Sequence, residues 1–304
     1  MRILHVNNQA SVGFLLSRAQ RELGHTSDLL AVRKQTQRPP DFEAADVKDV
    51  FIKLMKMAPK YDLIHVHGGV GISGVGLLPL KAAGKRFFAH YHGSELRENI
   101  QTSFHFVCEK LFVSTPDLLR YADNVSGREL IHIPNPVMME GVVPVDWSSR
   151  MEGLEGDSPL LVSHMPTRRH VKGTDHVIEG VEEARAKGAH IELDIIEGVF
   201  VDEAMARLEN SHICVDWMSP DYDIHGVVSV EAMLRRIPTV CNIDRSMYPE
   251  DIPIIACRPE GMGKTLFDLW EGRRGLPEIG SRSREYAERV HAPLTAAKKI
   301  EEFL

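Results

Sequence analysis

An alternation constrains this chain more than any other feature. Short, nearly continuous apolar runs are separated by stretches in which apolar residues recur every three or four positions. In the first half the runs are RILHV (2–6), SDLLAV (27–32), DLIHVHG (62–68), RFFAHYHG (86–93), KLFVST (110–115) and ELIHIP (129–134). GFLLSRAQRELG (13–24) reads as an amphipathic helix ended by Gly24. A run that is apolar throughout, rather than at every second residue, belongs to a strand buried on both faces. Such strands alternating with helices imply a doubly wound parallel sheet, because the crossover helices cover both faces.

The rhythm breaks at IPNPVMMEGVVPVDWSSRMEGLEGDSP (133–159), rich in Pro and Gly and without a clean period. The spacing places an interdomain linker there, at 141–157. The alternation resumes with strands at PLLVSHMP (159–166), IELDIIEG (191–198), HICVDWM (212–218), IPTVCNI (237–243) and PIIAC (253–257), and a helix at DHVIEGVEEARAKG (175–188). From about 261 the chain reads as helical. The expectation is an α/β protein of two doubly wound domains, 1–140 and 158–290, facing across a cleft, with a terminal helix at 291–304. A length of 304 residues suits two domains.

Composition removes several function classes. The net charge of −7 argues against a nucleic-acid partner. The four cysteines lie in apolar runs with no CxxC pair, as buried reduced thiols do, which fits a cytoplasmic compartment. MRILHV is too short for a signal-peptide core, and no apolar run reaches membrane-spanning length. Weak peripheral membrane contact is left open, since residues 21–38 are locally basic.

In open α/β sheets ligands sit beyond the carboxyl ends of strands, so the residues that follow each run carry the functional question. GGVGISGVG (68–76) contains GxGxxG, but after the third strand rather than the first, so a flexible loop is the better reading than a dinucleotide site. GMGKT (261–265) lacks the first glycine of a phosphate loop and reads as a helix start. DYD (221–223) has the acid-x-acid pattern of some metal sites. HVH and HYH each put two histidines on one side of a strand, but the sequence shows no third ligand, so no metal is expected. PTRRHVKGTD (166–175) is stronger. Arg168, Arg169 and Lys172 crowd a helix start, with Thr174 or Asp175 as its N-cap. Cations there oppose the helix dipole unless an anion such as a diphosphate answers them.

HGVVSVEAMLRRIPTV (225–240) begins another helix. The backbone amides of Gly226, Val227 and Val228 are donors for phosphate oxygens, and Glu231 an acceptor for ribose hydroxyls. Glu197, Gly198 and Val199 end a strand where the backbone can meet a nucleobase, and His92 follows a strand of the first half. The simpler readings are a solvated basic loop, a dipole-favoured acid and a core histidine.

Taken in order, DLIHVHGG, FFAHYHGSELR, VSTPDLLRYA, IPNPV, MPTRRHVKGTDHVIEGV and HGVVSVEAMLRRIPTV make the chain resemble the retaining GT-B glycosyltransferases of family 4. That resemblance implies two Rossmann-like domains, with PLTAAKKIEEFL crossing back onto the first. It implies a nucleotide-diphosphate sugar as donor substrate, no further cofactor and no metal. Lys172 with Arg168 or Arg169 would hold the departing diphosphate, Glu231 the ribose, and Asp223 and His92 the sugar. The acceptor would be a small molecule, glycan or lipid-linked group. Three positions depart from the pattern. Asp223 stands where the family has Glu, Thr167 stands at its usual Arg, and NNQASVG replaces its first glycine-rich loop. A sugar-nucleotide epimerase of the same architecture, or a binding protein with a decayed site, are the alternatives.

Overall fold

Among the described residues every strand pairs in parallel, as continuous apolar runs lead one to expect. The computed structural model describes residues 1–32, 38–69, 71–99, 104–155, 158–248 and 252–304. Part of the basic stretch (33–37), Val70 of the glycine run and two linker residues (156–157) lie outside the described residues.

The chain forms two compact units, Met1–Met138 with Val290–Leu304, and Met139–Arg289. The first unit contains β1 (Arg2–Val6), α1 (Val12–Glu22), β2 (Thr26–Val32), β3 (Phe42–Ala44), α2 (Val47–Met57), β4 (Leu63–His67) and α3 (Gly74–Ala82). It continues through β5 (Arg86–Tyr91), α4 (Ser94–Arg97), β6 (Lys110–Val113) and β7 (Ile131–His132). The sheet order is β3-β2-β1-β4-β5-β6-β7, which reverses between β1 and β4. One face buries Leu4, Val6, Ile64, Val66, Phe87, Ala89 and Tyr91 with Val50 and Leu54 of α2 and Leu77 of α3. The other buries Ile3, Leu63, Phe88 and Phe112 against Val12 and Leu16 of α1. That face also carries His5, His65, His67 and His90, because parallel register aligns His5 with His65 and His67 with His90.

The second unit holds α5 (Trp147–Glu155), β8 (Leu160–His164), α6 (Arg169–Lys172), α7 (Thr174–Ala186), β9 (Ile191–Ile195) and α8 (Val201–Glu209). β10 (Ile213–Val215), α9 (Val227–Leu234), β11 (Thr239–Cys241), β12 (Ile255–Ala256), α10 (Met262–Glu271) and α11 (Leu276–Val290) complete it. Its sheet order is β12-β11-β10-β8-β9, so the order reverses between β8 and β10. The last helix, α12 (Pro293–Glu301), belongs to the first unit, where Ala296, Ala297 and Ile300 join the core beside α1. Among the described residues no helix is long and apolar enough to cross a membrane. All four cysteines are free and buried.

The structure corrects the sequence reading in several places. The expected linker contains α5, because Trp147, Met151 and Leu154 follow a helical spacing and pack into the second core. The short edge strand β3 carries no apolar run. The run at 212–218 is a strand only over 213–215. The cap of α7 is Gly173, not Thr174 or Asp175. Gly71 and Gly76 are packing residues: a Cβ on Gly71 would lie 1.8 Å from Val47 Cγ1, and one on Gly76 2.5 Å from Phe51 Cζ. GMGKT does open a helix, α10, as expected, and its Gly263 also faces α7, where a Cβ would lie 2.3 Å from Glu183 Oε2.

Candidate functional site

In the second unit the carboxyl ends of β8 and β10, where strand order reverses, mark the ligand position of an open α/β sheet. His164, the last residue of β8, ties the two strands together. Its Nδ1 lies 2.8 Å from Val215 O and its Nε2 2.9 Å from Thr174 Oγ1 at the start of α7.

The loop after β8 delivers Lys172. Gly173 follows it at φ +71°, and a Cβ there would lie 2.4 Å from the Met218 carbonyl carbon, so only glycine permits this approach. The contact is closed by Met218 N–H, which donates to Lys172 O at 2.9 Å. The Lys172 side chain turns inward. Its Nζ donates to Asp216 Oδ1 and lies 4.3 Å from the centre of the Trp217 ring. Lys172 and Asp216 are both buried.

Asp216 is the hub of this arrangement. Its Oδ2 accepts from Gly226 N–H at 2.9 Å and from Ser229 Oγ at 2.6 Å. Burial pushes its carboxyl up, but Lys172, Ser229 and the Gly226 amide outweigh that and hold it below the ordinary carboxylate range. The Gly226 amide is therefore engaged by Asp216, which corrects its assignment as a phosphate donor. Gly226 is needed for space instead: a Cβ there would lie 2.8 Å from both Asp216 Oδ2 and Trp217 Nε1. Val227 and Val228 form the first turn of α9, and Glu231 stands one turn further on, half-buried. Among the described residues the buried Trp217 Nε1 has no hydrogen-bond partner, leaving a donor at the head of this helix.

Two predicted residues pair with each other. Arg169 Nε donates to Glu197 Oε2 at 3.0 Å, joining the loop after β8 to the loop after β9. This exposed pair holds the Glu197 carboxyl below its usual range. Gly198 turns the chain at φ +69°, and Val199 packs on the second core. Arg168 caps the short α6, and among the described residues its side chain has no partner. Asp223 is held by Arg258, whose Nη1 donates to Asp223 Oδ1 at 2.7 Å and to Asn242 Oδ1 at 3.0 Å. Asn242 Nδ2 in turn donates to Ser219 O and Tyr222 O, which shapes the loop carrying Asp223.

In the first unit His92 follows β5. Its Nδ1 lies 2.7 Å from Ser114 Oγ and its Nε2 3.3 Å from His67 Nδ1, so both ring nitrogens face protein partners. It ends a row of imidazoles: His5, His65, His67, His90 and His92, with neighbouring ring centres 4.5 to 5.6 Å apart. The third histidine that HVH and HYH lacked is present, supplied by sheet pairing. His5, His65 and His67 form one potential metal triad, and His67, His90 and His92 another. Burial holds His65, His67 and His90 well below the ordinary imidazole range, and lowers His92.

Sequence reasoning missed Asp216, Trp217, Ser229, Asn242 and Arg258. A signal for the first two existed: an acid and an indole close an apolar run at the point where strand pairing ends. Asn242 follows β11 in the same way.

No family profile matches the chain, and no curated protein matches it in sequence. Solved structures match along its whole length. HepE (Alr3699) of Anabaena in complex with UDP and glucose has a TM-score of 0.68 at 13% identity, covering 100% of this chain and 99% of that one. An alpha-glucosyltransferase in complex with UDP and a 13-mer DNA containing an HMU base has a TM-score of 0.71 at 11% identity, covering 99% and 98%. UDP-GlcNAc 2-epimerase from Neisseria meningitidis bound to UDP-GlcNAc has a TM-score of 0.60 at 12% identity, covering 99% of both chains. This likeness establishes an α/β fold of the GT-B class, with one parallel sheet in each unit.

Proposed function

We propose that the chain is a retaining glycosyltransferase that moves a hexose from a nucleotide-diphosphate sugar to an acceptor. The observation that carries this reading is Lys172. A buried ammonium stands at the strand-order reversal of the second unit, beside the head of α9 and the Trp217 N–H. The full-length likeness to structures holding UDP or UDP-sugars supports the same ligand class.

In this reading Lys172 keeps one N–H on Asp216 and turns another toward the diphosphate. Arg168 supplies the second positive group, because Arg169 is committed to Glu197. The amides of Val227 and Val228 face phosphate oxygens, Glu231 accepts from the ribose, and the backbone of 197–199 meets the base. Asp223, held by Arg258, receives a sugar hydroxyl. His92 serves the sugar from the first unit. The bond from the anomeric carbon to the diphosphate oxygen breaks, and a bond to the acceptor oxygen forms on the same face. The acceptor proton passes to the departing phosphate oxygen. Preorganised cations stabilise the charge that develops on that oxygen, so the diphosphate itself requires no metal. The cytoplasm is the compartment this reading implies, since that is where the four free thiols stay reduced.

The test is thermal stabilisation by UDP, GDP, ADP and TDP, followed by product analysis with the matching sugar nucleotide. A ligand that binds only the folded chain raises its midpoint by mass action. One nucleotide family is expected to raise it, with Arg168→Ala and Glu231→Ala reducing the shift. Transfer to an acceptor with the anomeric configuration kept then supports the proposal. Sugar epimerised at its second carbon without any acceptor replaces it with the epimerase. The absence of any shift rejects both.

A further inference from the structure

We propose that His67, His90 and His92 form a binding site for a divalent late-transition-metal cation, of the zinc class, at the carboxyl ends of β4 and β5. The site lies wholly within the first unit and does not depend on the donor reading above.

Strand register builds the site. His67 pairs with His90 in parallel, so their side chains share a face, and His92 lies two residues beyond His90, on that face again. One nitrogen from each of the three can be chosen so that all lie within 4.8 Å of one another. His67 and His90 are buried and His92 is half-buried, and burial disfavours the charged form of each ring, which favours a neutral imidazole with a lone pair to offer.

A hydrogen-bond chain then decides which nitrogen of His67 is bare. Gln20 Oε1 can only accept, and it lies 2.8 Å from His5 Nε2, so His5 carries its proton there. His5 Nδ1 is left as an acceptor and receives the proton of His67 Nε2 at 2.9 Å. His67 Nδ1 is thus unprotonated and faces His92 Nε2 at 3.3 Å. That separation is long for a hydrogen bond, whose usual length is about 2.9 Å. It matches the edge of a tetrahedron around zinc, about 3.3 Å when the metal–nitrogen distance is about 2.0–2.1 Å.

The other two ligands fit in different ways. His92 Nδ1 stands 2.7 Å from Ser114 Oγ, the outer-shell hydrogen bond that orients a metal-bound imidazole. His90 is fully buried, and among the described residues neither of its ring nitrogens has a hydrogen-bond partner. A buried polar group left without a partner is destabilising, so a bare histidine is a poor choice of core filler. Coordination through one nitrogen uses it.

The neighbouring triad of His5, His65 and His67 is the weaker site. His5 Nδ1 and His67 Nε2 are spent on each other, and all three rings are fully buried. His92 is only half-buried and gives the second triad a route to solvent. Three neutral imidazoles with no carboxylate select zinc, cobalt, nickel or copper over magnesium or calcium, and leave a fourth position for water or a substrate oxygen.

The experiment is a titration of tag-free, chelator-treated protein with Co²⁺, read by visible absorption and by metal content after desalting. The expected result is one tightly held Co²⁺ per chain with tetrahedral bands, displaced by Zn²⁺ and not by Mg²⁺. His90→Leu and His92→Ala are each expected to weaken binding by at least about a hundredfold, as loss of a ligand should cost no less than loss of its outer shell. His65→Leu, outside the triad, is expected to retain the bands. Far-UV circular dichroism checks folding, and His92→Ala, the most exposed of the three, decides the matter if His90→Leu does not fold. Wild-type protein that retains no cobalt overturns the proposal. So do bands that survive His92→Ala, or that vanish in folded His65→Leu. Nucleotide stabilisation that persists in chelator keeps this outcome separate from the donor reading.

Discussion

Replacing Lys172 with Met is expected to be costly to stability, and the size of the loss follows from its surroundings. Methionine keeps most of the chain length and removes the ammonium. Asp216 then remains charged and fully buried, with only Gly226 N–H and Ser229 Oγ to satisfy it. Removing one partner of a buried ion pair costs about 3–5 kcal/mol, because a charge is left uncompensated in low dielectric. In a unit of roughly 150 residues, about 2–4 °C of melting temperature is lost per kcal/mol, so the transition should fall by about 6–20 °C. The assay is a double-mutant cycle by thermal and urea unfolding, with Asp216→Asn as the second change. Asn still accepts from Gly226 and Ser229 but carries no charge, so the double variant should recover most of the loss. The reasoning fails if Lys172→Met alone costs under about 1 kcal/mol, the value of a solvent-exposed pair. It also fails if the two changes add to within about 0.5 kcal/mol. One practical consequence is that lost activity in Lys172→Ala would mix lost chemistry with lost folding, which is why Arg168 and Glu231 are the better probes of donor binding.

Gly173→Ala should lower the melting temperature by the equivalent of at least about 1–2 kcal/mol, the cost of a left-handed backbone for a residue with a Cβ. The clash with Met218 adds to this, and an unchanged midpoint would show that the loop can relax. His212 is buried, accepts from Leu161 N–H at 2.9 Å through Nδ1, and has its pKa pushed down by burial to about 4. The unfolded chain therefore binds that proton first: stability is full above about 6.5, falls as the pH drops, and levels off below about 4. Between those values wild type should lose about 3 kcal/mol that His212→Asn, which keeps an acceptor, does not lose; coincident pH–stability curves would refute this. Arg258→Ala, an exposed change, should alter stability by less than about 1 kcal/mol. It frees the Asp223 carboxylate, so sugar transfer should fall while stabilisation by the nucleotide diphosphate alone persists; a loss of both would place Arg258 on the phosphates instead.

Much of the fold is legible in the sequence because its signal is local. A continuous apolar run as short as RILHV or DLIHVHG, bounded by polar and turn residues, fits a strand covered on both faces. Alternation with amphipathic stretches such as 13–24 leaves few ways to connect such strands. The misreadings arise where local signals compete or fade. Trp147, Met151 and Leu154 carry a helical period, but they sit among prolines and glycines that read as a linker. β3 is an edge strand three residues long and buries too little to be patterned. In HICVDWM the apolar run continues past the last paired residue, so its acid was read as part of a strand.

The candidate site divides in the same way. Lys172, Glu231 and His92 stand out because glycines and helix starts surround them in the chain. Asp216 does not, since its meaning is its contact with a lysine on another loop. Arg168 and Arg169 are indistinguishable as letters, and only the placement of Glu197 separates them. The histidines show the same limit. Alternation within HVH and HYH decides that each pair shares a face. Which pairs meet, which ring nitrogen is bare, and that His5 joins them are decided by strand register and by one glutamine oxygen on α1. What the sequence alone determines here is the class of fold and which residues stand at strand ends, because strand and helix periods act over a few residues. Which of those residues touch is set by long-range pairing in the two sheets, and only the tertiary structure decides it.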